Sequence, residues 1–159
     1  MIKIGDKLPA MKLMVATPEG PREAGTAELL GQGKVVLFAV PGAFTPTCSA
    51  KHVPGFVKHA AEFKAKGVDR IVCLAVNDAF VLGAWAKDQK AGEAITFLAD
   101  GSAVFTKALG LELDLLARGM GVRSQRFALV AEDGVVTQLF VEEPGGFEVS
   151  RAEAVLEAL

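Results

Sequence analysis

The chain has 159 residues, of which 51% are hydrophobic, and a formal net charge of −2, which fits one domain spanning residues 1–159. The nearly balanced charge argues against a nucleic-acid partner, and no apolar run is long enough for a membrane span. The first residues lack an apolar signal core, and two cysteines suit a reducing compartment, so we expect a cytoplasmic protein.

Apolar runs that suit strands alternate with helical patterns along the chain. The predicted strands are an edge strand at 11–16, buried strands at 35–40, 71–76 and 95–99, and a hairpin of 127–131 and 135–141 around Asp133-Gly134. The predicted helices are 26–31, 46–66, one capped by Asp78, one from Ser102 to Leu109, and a last one opened by a Ser150–Glu153 capping box. Pro54 must kink or split the helix at 46–66. This order predicts an α/β protein with a mixed sheet.

Cys48 lies where a predicted strand gives way to a helix. Thr45 suits the N-cap and Pro46 the first helical position. Cys48 then falls in the first turn, where free backbone N–H groups and the helix dipole favour a thiolate. A small buried hydrophobe is the competing interpretation. The polar neighbours Thr47 and Ser49 favour a reactive thiol.

The pattern Pro41-x-x-x-Thr45-x-x-Cys48 resembles the active-site signature of the peroxiredoxins, and the longer string 40–49 resembles their type-II, or type-five, atypical branch. Three more segments resemble that branch in the expected order: Lys51–Phe56, Val76–Phe80 and Arg126–Val130. The resemblance implies a thioredoxin-like sandwich with a mixed central β-sheet flanked by helices. It also implies a thiol-dependent peroxidase for hydrogen peroxide and alkyl hydroperoxides, and a homodimer formed through the active-site end.

Reduction of a peroxide by a thiolate requires an oriented O–O bond and support for charge on the leaving oxygen. The Thr45 hydroxyl can hydrogen-bond both the sulfur and the peroxide, and the helix-start N–H groups near Thr47 and Cys48 can bind the peroxide. Pro41 shields the sulfur, or it merely ends the strand. A further rival is an anion-binding α/β domain that uses the loop from Gly42 to Thr47 at the helix start.

A permanent cation beside the sulfur would favour the thiolate. The resemblance places this cation at Arg126, with Arg123 as the nearest competitor in sequence. His52 follows Cys48 by four residues and therefore shares its helix face. It either tunes the thiolate, orients a neighbour, or is a structural histidine.

Three phenylalanines, Phe44, Phe80 and Phe127, are candidates for an apolar wall around the sulfur or for a subunit contact, but core packing is the default interpretation for any one of them. Two histidines and two cysteines without compact ligand spacing do not suggest a metal. No phosphate-binding glycine fingerprint suggests a nucleotide. We therefore expect no cofactor.

Cys73 lies within an apolar strand, which favours a buried, inert thiol. Members of this branch often carry a resolving cysteine before the last helix, whereas residues 144–149 contain none. We therefore expect a one-cysteine cycle in which glutathione and glutaredoxin, or thioredoxin, reduce the sulfenic acid of Cys48. The rival function is a non-catalytic thioredoxin-like redox sensor or binding module, in which Cys48 would titrate as an ordinary thiol and react slowly with peroxide.

Overall fold

The computed structural model describes residues 1–159 and is built around a seven-stranded mixed sheet. The strands are β1 (Lys12–Thr17), β2 (Gly20–Gly25), β3 (Lys34–Val40), β4 (Arg70–Ala75), β5 (Thr96–Ala99), β8 (Phe127–Glu132) and β9 (Val135–Val141), while β6 (Glu112–Leu115) and β7 (Gly121–Ser124) form a separate hairpin. The sheet order is β2-β1-β5-β4-β3-β8-β9. Strand β4 pairs in parallel with β3 and β5, and the other pairs are antiparallel.

Helices cover both faces of this sheet, which confirms the predicted α/β architecture. They are α1 (Thr26–Leu30), α2 (Val53–Lys58), α3 (Ala60–Ala65), α4 (Ala79–Asp88), α5 (Val104–Leu109) and α6 (Ala152–Ala158), with a π-helical segment at Cys48–His52 and a 3-10 turn at Leu116–Arg118. None of these helices is both long and apolar enough to cross a membrane.

Two apolar cores lie on opposite faces of the sheet. Phe38 of β3 belongs to one core and its neighbour Leu37 to the other, because successive side chains of a strand point in opposite directions. Burial of both faces explains why β3 and β4 are continuous apolar runs. Cys48 and Cys73 both belong to the core that contains Phe38.

The predicted edge strand is wrong in one respect. Strand β1 is internal, because β2 (Gly20–Gly25) pairs along its outer side from Lys12↔Gly25 to Thr17↔Gly20. The β2 sequence Gly-Pro-Arg-Glu-Ala-Gly has no apolar alternation and three exposed side chains. A strand at an exposed edge buries few side chains, so its sequence need not show the alternation of apolar and polar residues by which strands are recognised.

The helix predicted at 46–66 is interrupted twice. The N–H of Val53 donates to the carbonyl of Cys48, five residues earlier, so the interruption begins before Pro54. Proline has no N–H to donate to the preceding turn, and the wider π turn accommodates that loss. A second break follows at His59, where φ is −97° and ψ is 9°.

Helix capping agrees with the sequence at α4 and differs at the two later helices. Asp78 caps α4 by accepting the N–H of Val81 at 2.8 Å. Helix α5 is capped by the buried Asp100, and not by Ser102, because the Asp100 carboxylate accepts two N–H groups at its start. The predicted Ser150 cap of α6 is wrong, since the Ser150 hydroxyl donates to Glu142.

Candidate active site

A tight loop carries the chain from the end of β3 to Cys48. The N–H of Ala43 donates to Oδ1 of Asn77, which follows the neighbouring parallel strand β4, at 2.9 Å. Gly42 is buried, and a Cβ there would lie 2.8 Å from Nη1 of Arg123 and 3.2 Å from Cγ2 of Thr45. The flexible Arg123 side chain can move away from such a Cβ, so the close approach to Thr45 is what favours glycine at position 42.

Helical structure begins at Pro46, as predicted, and the N–H of Ser49 donates to the carbonyl of Thr45 at 3.0 Å. The N–H groups of Thr47 and Cys48 donate to no acceptor in the protein. The Thr45 hydroxyl does not cap the helix, because it donates to the carbonyl of Gly42 at 2.6 Å. Its oxygen keeps lone pairs with which it can accept a hydrogen bond from a ligand.

Arg126, rather than Arg123, contacts the candidate sulfur. Nη2 of Arg126 lies 3.1 Å from Sγ of Cys48, which is fully buried. Arg126 reaches this place because it immediately precedes β8, whose pairing with β3 sets Phe127 opposite Ala39. Arg123 instead donates from Nε to the carbonyl of Met120 at 2.8 Å and lies 3.4 Å from the carbonyl of Pro41.

His52 joins Arg126 to the segment before α6. Nδ1 of His52 lies 2.8 Å from Nη1 of Arg126, and Nε2 lies 3.0 Å from the carbonyl of Ser150. Arginine can only donate and a carbonyl can only accept, so we assign the proton to Nε2. Burial lowers the pKa of His52 to about 3, against the opposing effect of its bond to Ser150, and the charge of Arg126 lowers it further. His52 is therefore neutral at physiological pH and orients Arg126 through its Nδ1 lone pair.

Phe147 is a member of this site that the sequence analysis missed. Its ring centroid lies 5.8 Å from Cζ of Arg126, and its ring meets that of His52 edge-on at 5.1 Å. A guanidinium over an aromatic face is a stabilising contact. The signal for it in the sequence is that it is the one aromatic residue of the 144–149 segment.

The three candidate phenylalanines lie in different environments. Phe127 is buried in the core on the sheet face opposite Cys48, so it does not line the sulfur. Phe44 and Phe80 are 54% and 76% exposed, which rules out core packing for both. Phe44 has a positive φ of 62° and lies 6.5 Å from the ring of Trp85.

Trp85 of α4 is fully buried against the reactive helix. Its Nε1–H donates to the hydroxyl of Ser49, the residue after Cys48, at 2.9 Å. This bond connects the first turn of the π-helical segment to α4.

The second cysteine is a free thiol in the middle of β4, which is paired on both sides. Burial raises the pKa of Cys73 well above its usual value; the charge of Cys48 acts in the same direction and that of Arg126 opposes it. Nowhere do three histidine, cysteine, aspartate or glutamate side chains converge as metal ligands would.

Comparison with known proteins gives a consistent set of relatives. A family model described as Redoxin matches residues 3–156. The chain is 52% identical to chloroplastic peroxiredoxin-2E of Arabidopsis thaliana over 99% of this chain and 69% of the relative. It is 51% identical to peroxiredoxin-2C of rice, Oryza sativa subsp. japonica, over 99% of this chain and 98% of the relative. The solved structure of reduced Prx3 from Vibrio vulnificus in complex with hydrogen peroxide matches with a TM-score of 0.94 and 54% identity, covering 99% of each chain.

Proposed function

Because this chain belongs to the redoxin family and is a type-II peroxiredoxin, a thiol-dependent peroxidase, we propose that Cys48 is the thiol that attacks the peroxide. The observation that carries this assignment is the 3.1 Å contact between Nη2 of Arg126 and Sγ of Cys48. A thiolate is the nucleophile, and a permanent cation at this distance favours it over the neutral thiol.

In the proposed step the Cys48 thiolate attacks the terminal oxygen of hydrogen peroxide or an alkyl hydroperoxide. A sulfur–oxygen bond forms as the oxygen–oxygen bond breaks, which leaves sulfenic acid on Cys48 and releases hydroxide or alkoxide. The released oxygen takes a proton from solvent and departs as water or an alcohol. The sulfur is oxidised by two electrons and the peroxide is reduced by two.

Each neighbouring group has a role in this step. Arg126 stabilises the thiolate and the charge that develops on the peroxide oxygens. The Thr45 hydroxyl, whose proton is held by the Gly42 carbonyl, accepts the hydrogen bond of the peroxide O–H. The free N–H groups of Thr47 and Cys48 donate to the attacked oxygen. Pro41 and Phe44 border this peroxide site.

An external thiol is proposed to regenerate Cys48. Its sulfenic acid reacts with glutathione to give a mixed disulfide and water, and a second thiol, from glutaredoxin or thioredoxin, breaks that disulfide. Two facts support this route: residues 144–149 contain no cysteine, and Cys73 lies in a strand paired on both sides. Bridging the two cysteines would require the Cα atoms to come within about 7 Å with suitably directed side chains.

Stopped-flow kinetics tests both assignments. Cys48→Ser should abolish the reaction with hydrogen peroxide, whereas Cys73→Ala, the matched control, should leave turnover with external thiol nearly unchanged. Non-reducing mass spectrometry after one equivalent of peroxide should find sulfenic acid on Cys48, and a glutathione adduct once glutathione is added. Peroxidase activity in Cys48→Ser would overturn the site. A fast Cys48–Cys73 disulfide would overturn only the one-cysteine cycle.

A homodimer is proposed through an apolar patch of Phe44, Phe80 and Val104, all at least half exposed. Phe80 and Val104 line one cavity of about 510 Å³, and Phe44 belongs to the loop that Asn77 holds. Exposed aromatic residues in one region are typical of a subunit contact. Sedimentation velocity should show a dimer that Phe80→Asp converts to a monomer, while Ile4→Asp, at another exposed apolar residue, should not.

A cytoplasmic location is proposed because the cycle consumes reduced thiol, and the cytosol maintains such a pool. Fractionation of cells that express the tagged protein tests this. Recovery from an oxidising compartment would contradict it.

A further inference from the structure

Glu142, the residue after β9, is held against the active-site arginine at one end and against the segment before α6 at the other. Its backbone N–H donates to the carbonyl of Arg126 at 3.0 Å. Its side chain is almost buried, with the residue 9% exposed. Oε2 accepts three hydrogen bonds, from the N–H of Glu148 at 2.8 Å and from the N–H and hydroxyl of Ser150 at 2.9 and 2.7 Å.

The segment that Glu142 holds supplies two contacts to the reactive centre. The Ser150 carbonyl accepts the Nε2–H of His52, and the Phe147 ring packs against both His52 and Arg126. The pattern is a closed ring of contacts that starts and ends at Arg126. A shift of the 143–150 segment would therefore release His52, and with it the orientation of the guanidinium.

We propose that Glu142 is a positioning residue for peroxide reduction, which fixes the Ser150 carbonyl and the Phe147 ring so that His52 and Arg126 hold the Cys48 thiolate. This inference rests on the proposed function, in which Cys48 is the reacting thiol. Glu142 does not touch the sulfur, so it acts only through these neighbours.

A carboxylate is suited to this place because three donors converge on one oxygen. A hydrogen bond to a charged acceptor is stronger than a neutral one. In Glu142→Gln the side chain keeps its size, but its oxygen is uncharged, so each of the three hydrogen bonds that it accepts is weaker.

The direction in which the ionisation of Cys48 shifts distinguishes a positioning role of Glu142 from a purely electrostatic one. Removing a negative charge near a thiolate stabilises the thiolate, so a purely electrostatic role predicts that Cys48 ionises at lower pH in Glu142→Gln. Loss of position loosens Arg126 and predicts ionisation at higher pH. The pH dependence of Cys48 alkylation by iodoacetamide measures the midpoint.

We expect Glu142→Gln to move this midpoint upward and to slow sulfenic acid formation by roughly tenfold, as for the weakening of one charged hydrogen bond. Glu143→Gln is the matched control, because it makes the same charge change on an exposed neighbour, and it should behave as wild type. Ser150→Ala removes one of the three donors to Glu142 and should give a smaller shift in the same direction.

The hydrogen bonding of the His52 ring can be observed directly, so the test is decisive even if Glu142→Gln lowers the melting temperature. Long-range ¹H–¹⁵N spectra of the His52 ring should show the Nε2–H tautomer in wild type and Glu143→Gln, and a changed Nε2 resonance in Ser150→Ala and Glu142→Gln. A midpoint that falls or stays unchanged in Glu142→Gln, or an unaltered His52 ring, would overturn the inference. Activity in Cys48→Ser would instead overturn the proposed function beneath it.

Discussion

Replacement of Arg126 by alanine is the sharpest test of how the protein makes a buried sulfur reactive. The substitution removes the only cation in contact with Sγ of Cys48 and also the partner of His52 Nδ1. Water that enters the space left by the guanidinium carries no charge, so it stabilises the thiolate less than Arg126 does. We therefore expect less thiolate at neutral pH and a slower attack on peroxide.

The geometry sets the size of the effect. At 3.1 Å, two unit charges interact by about 5 kcal/mol at an effective dielectric constant of about 20, which is an upper limit. A hydrogen bond to a charged group contributes about 1.5–3 kcal/mol net. That range corresponds to a loss of roughly tenfold to 150-fold in the second-order rate constant for hydrogen peroxide.

The assay follows sulfenic acid formation by stopped flow, with the pH midpoint of Cys48 alkylation measured in parallel. Arg123→Ala is the matched control, because its guanidinium lies 3.4 Å from the Pro41 carbonyl and has no contact with the sulfur. Arg126→Lys should fall between wild type and Arg126→Ala, since one ammonium cannot replace a fork that reaches both Sγ and His52. Equal losses in Arg123→Ala and Arg126→Ala would refute the assignment.

Three further changes test the surrounding site. The pKa of His52 is about 3 in the folded chain and about 6.5 when unfolded, so between these pH values only the unfolded state binds a proton at His52. The free energy of unfolding should therefore fall as the pH drops from 6.5 to 3, by up to about 1.4 kcal/mol per pH unit. Urea unfolding measures this decline, which should be shallower in His52→Gln. Gly42→Ala should slow peroxide reduction in stopped flow, because its added Cβ would lie 3.2 Å from Cγ2 of Thr45 and displace that side chain. Gly25→Ala, with nothing within 4 Å of its added Cβ, should not. Thr45→Ser should retain most of the stopped-flow rate, and Thr45→Val should lose roughly twofold to tenfold with the lost acceptor.

Strands that are buried on both faces were predictable from the sequence, because continuous apolar runs leave few alternatives. The runs at 35–40 and 71–76 became β3 and β4 with shifts of one residue. The side chains of the edge strand β2 and of the hairpin formed by β6 and β7 are mostly exposed or half-exposed. Their pairing is fixed by backbone hydrogen bonds, which cannot be predicted from a pattern of side chains.

The active site also has a part that could be predicted from the sequence and a part that could not. Local order placed Cys48 at a helix start, and family resemblance indicated Arg126, which the structure brings to the sulfur. The sequence did not reveal that His52 bonds Arg126 or that Glu142 bonds Ser150, since these contacts join separate segments. The capping-box pattern at Ser150 was misleading because a buried carboxylate competes for the same hydroxyl.

The bond between Trp85 and Ser49 gives the molecule a built-in optical probe. The chain has one tryptophan, so its intrinsic emission has a single source, and that indole donates its N–H to the residue next to Cys48. Indole emission depends on whether its N–H is bonded and on how polar its surroundings are. Any rearrangement of the first helical turn during the redox cycle should change the emission, so that the motion can be timed in the unlabelled, wild-type protein.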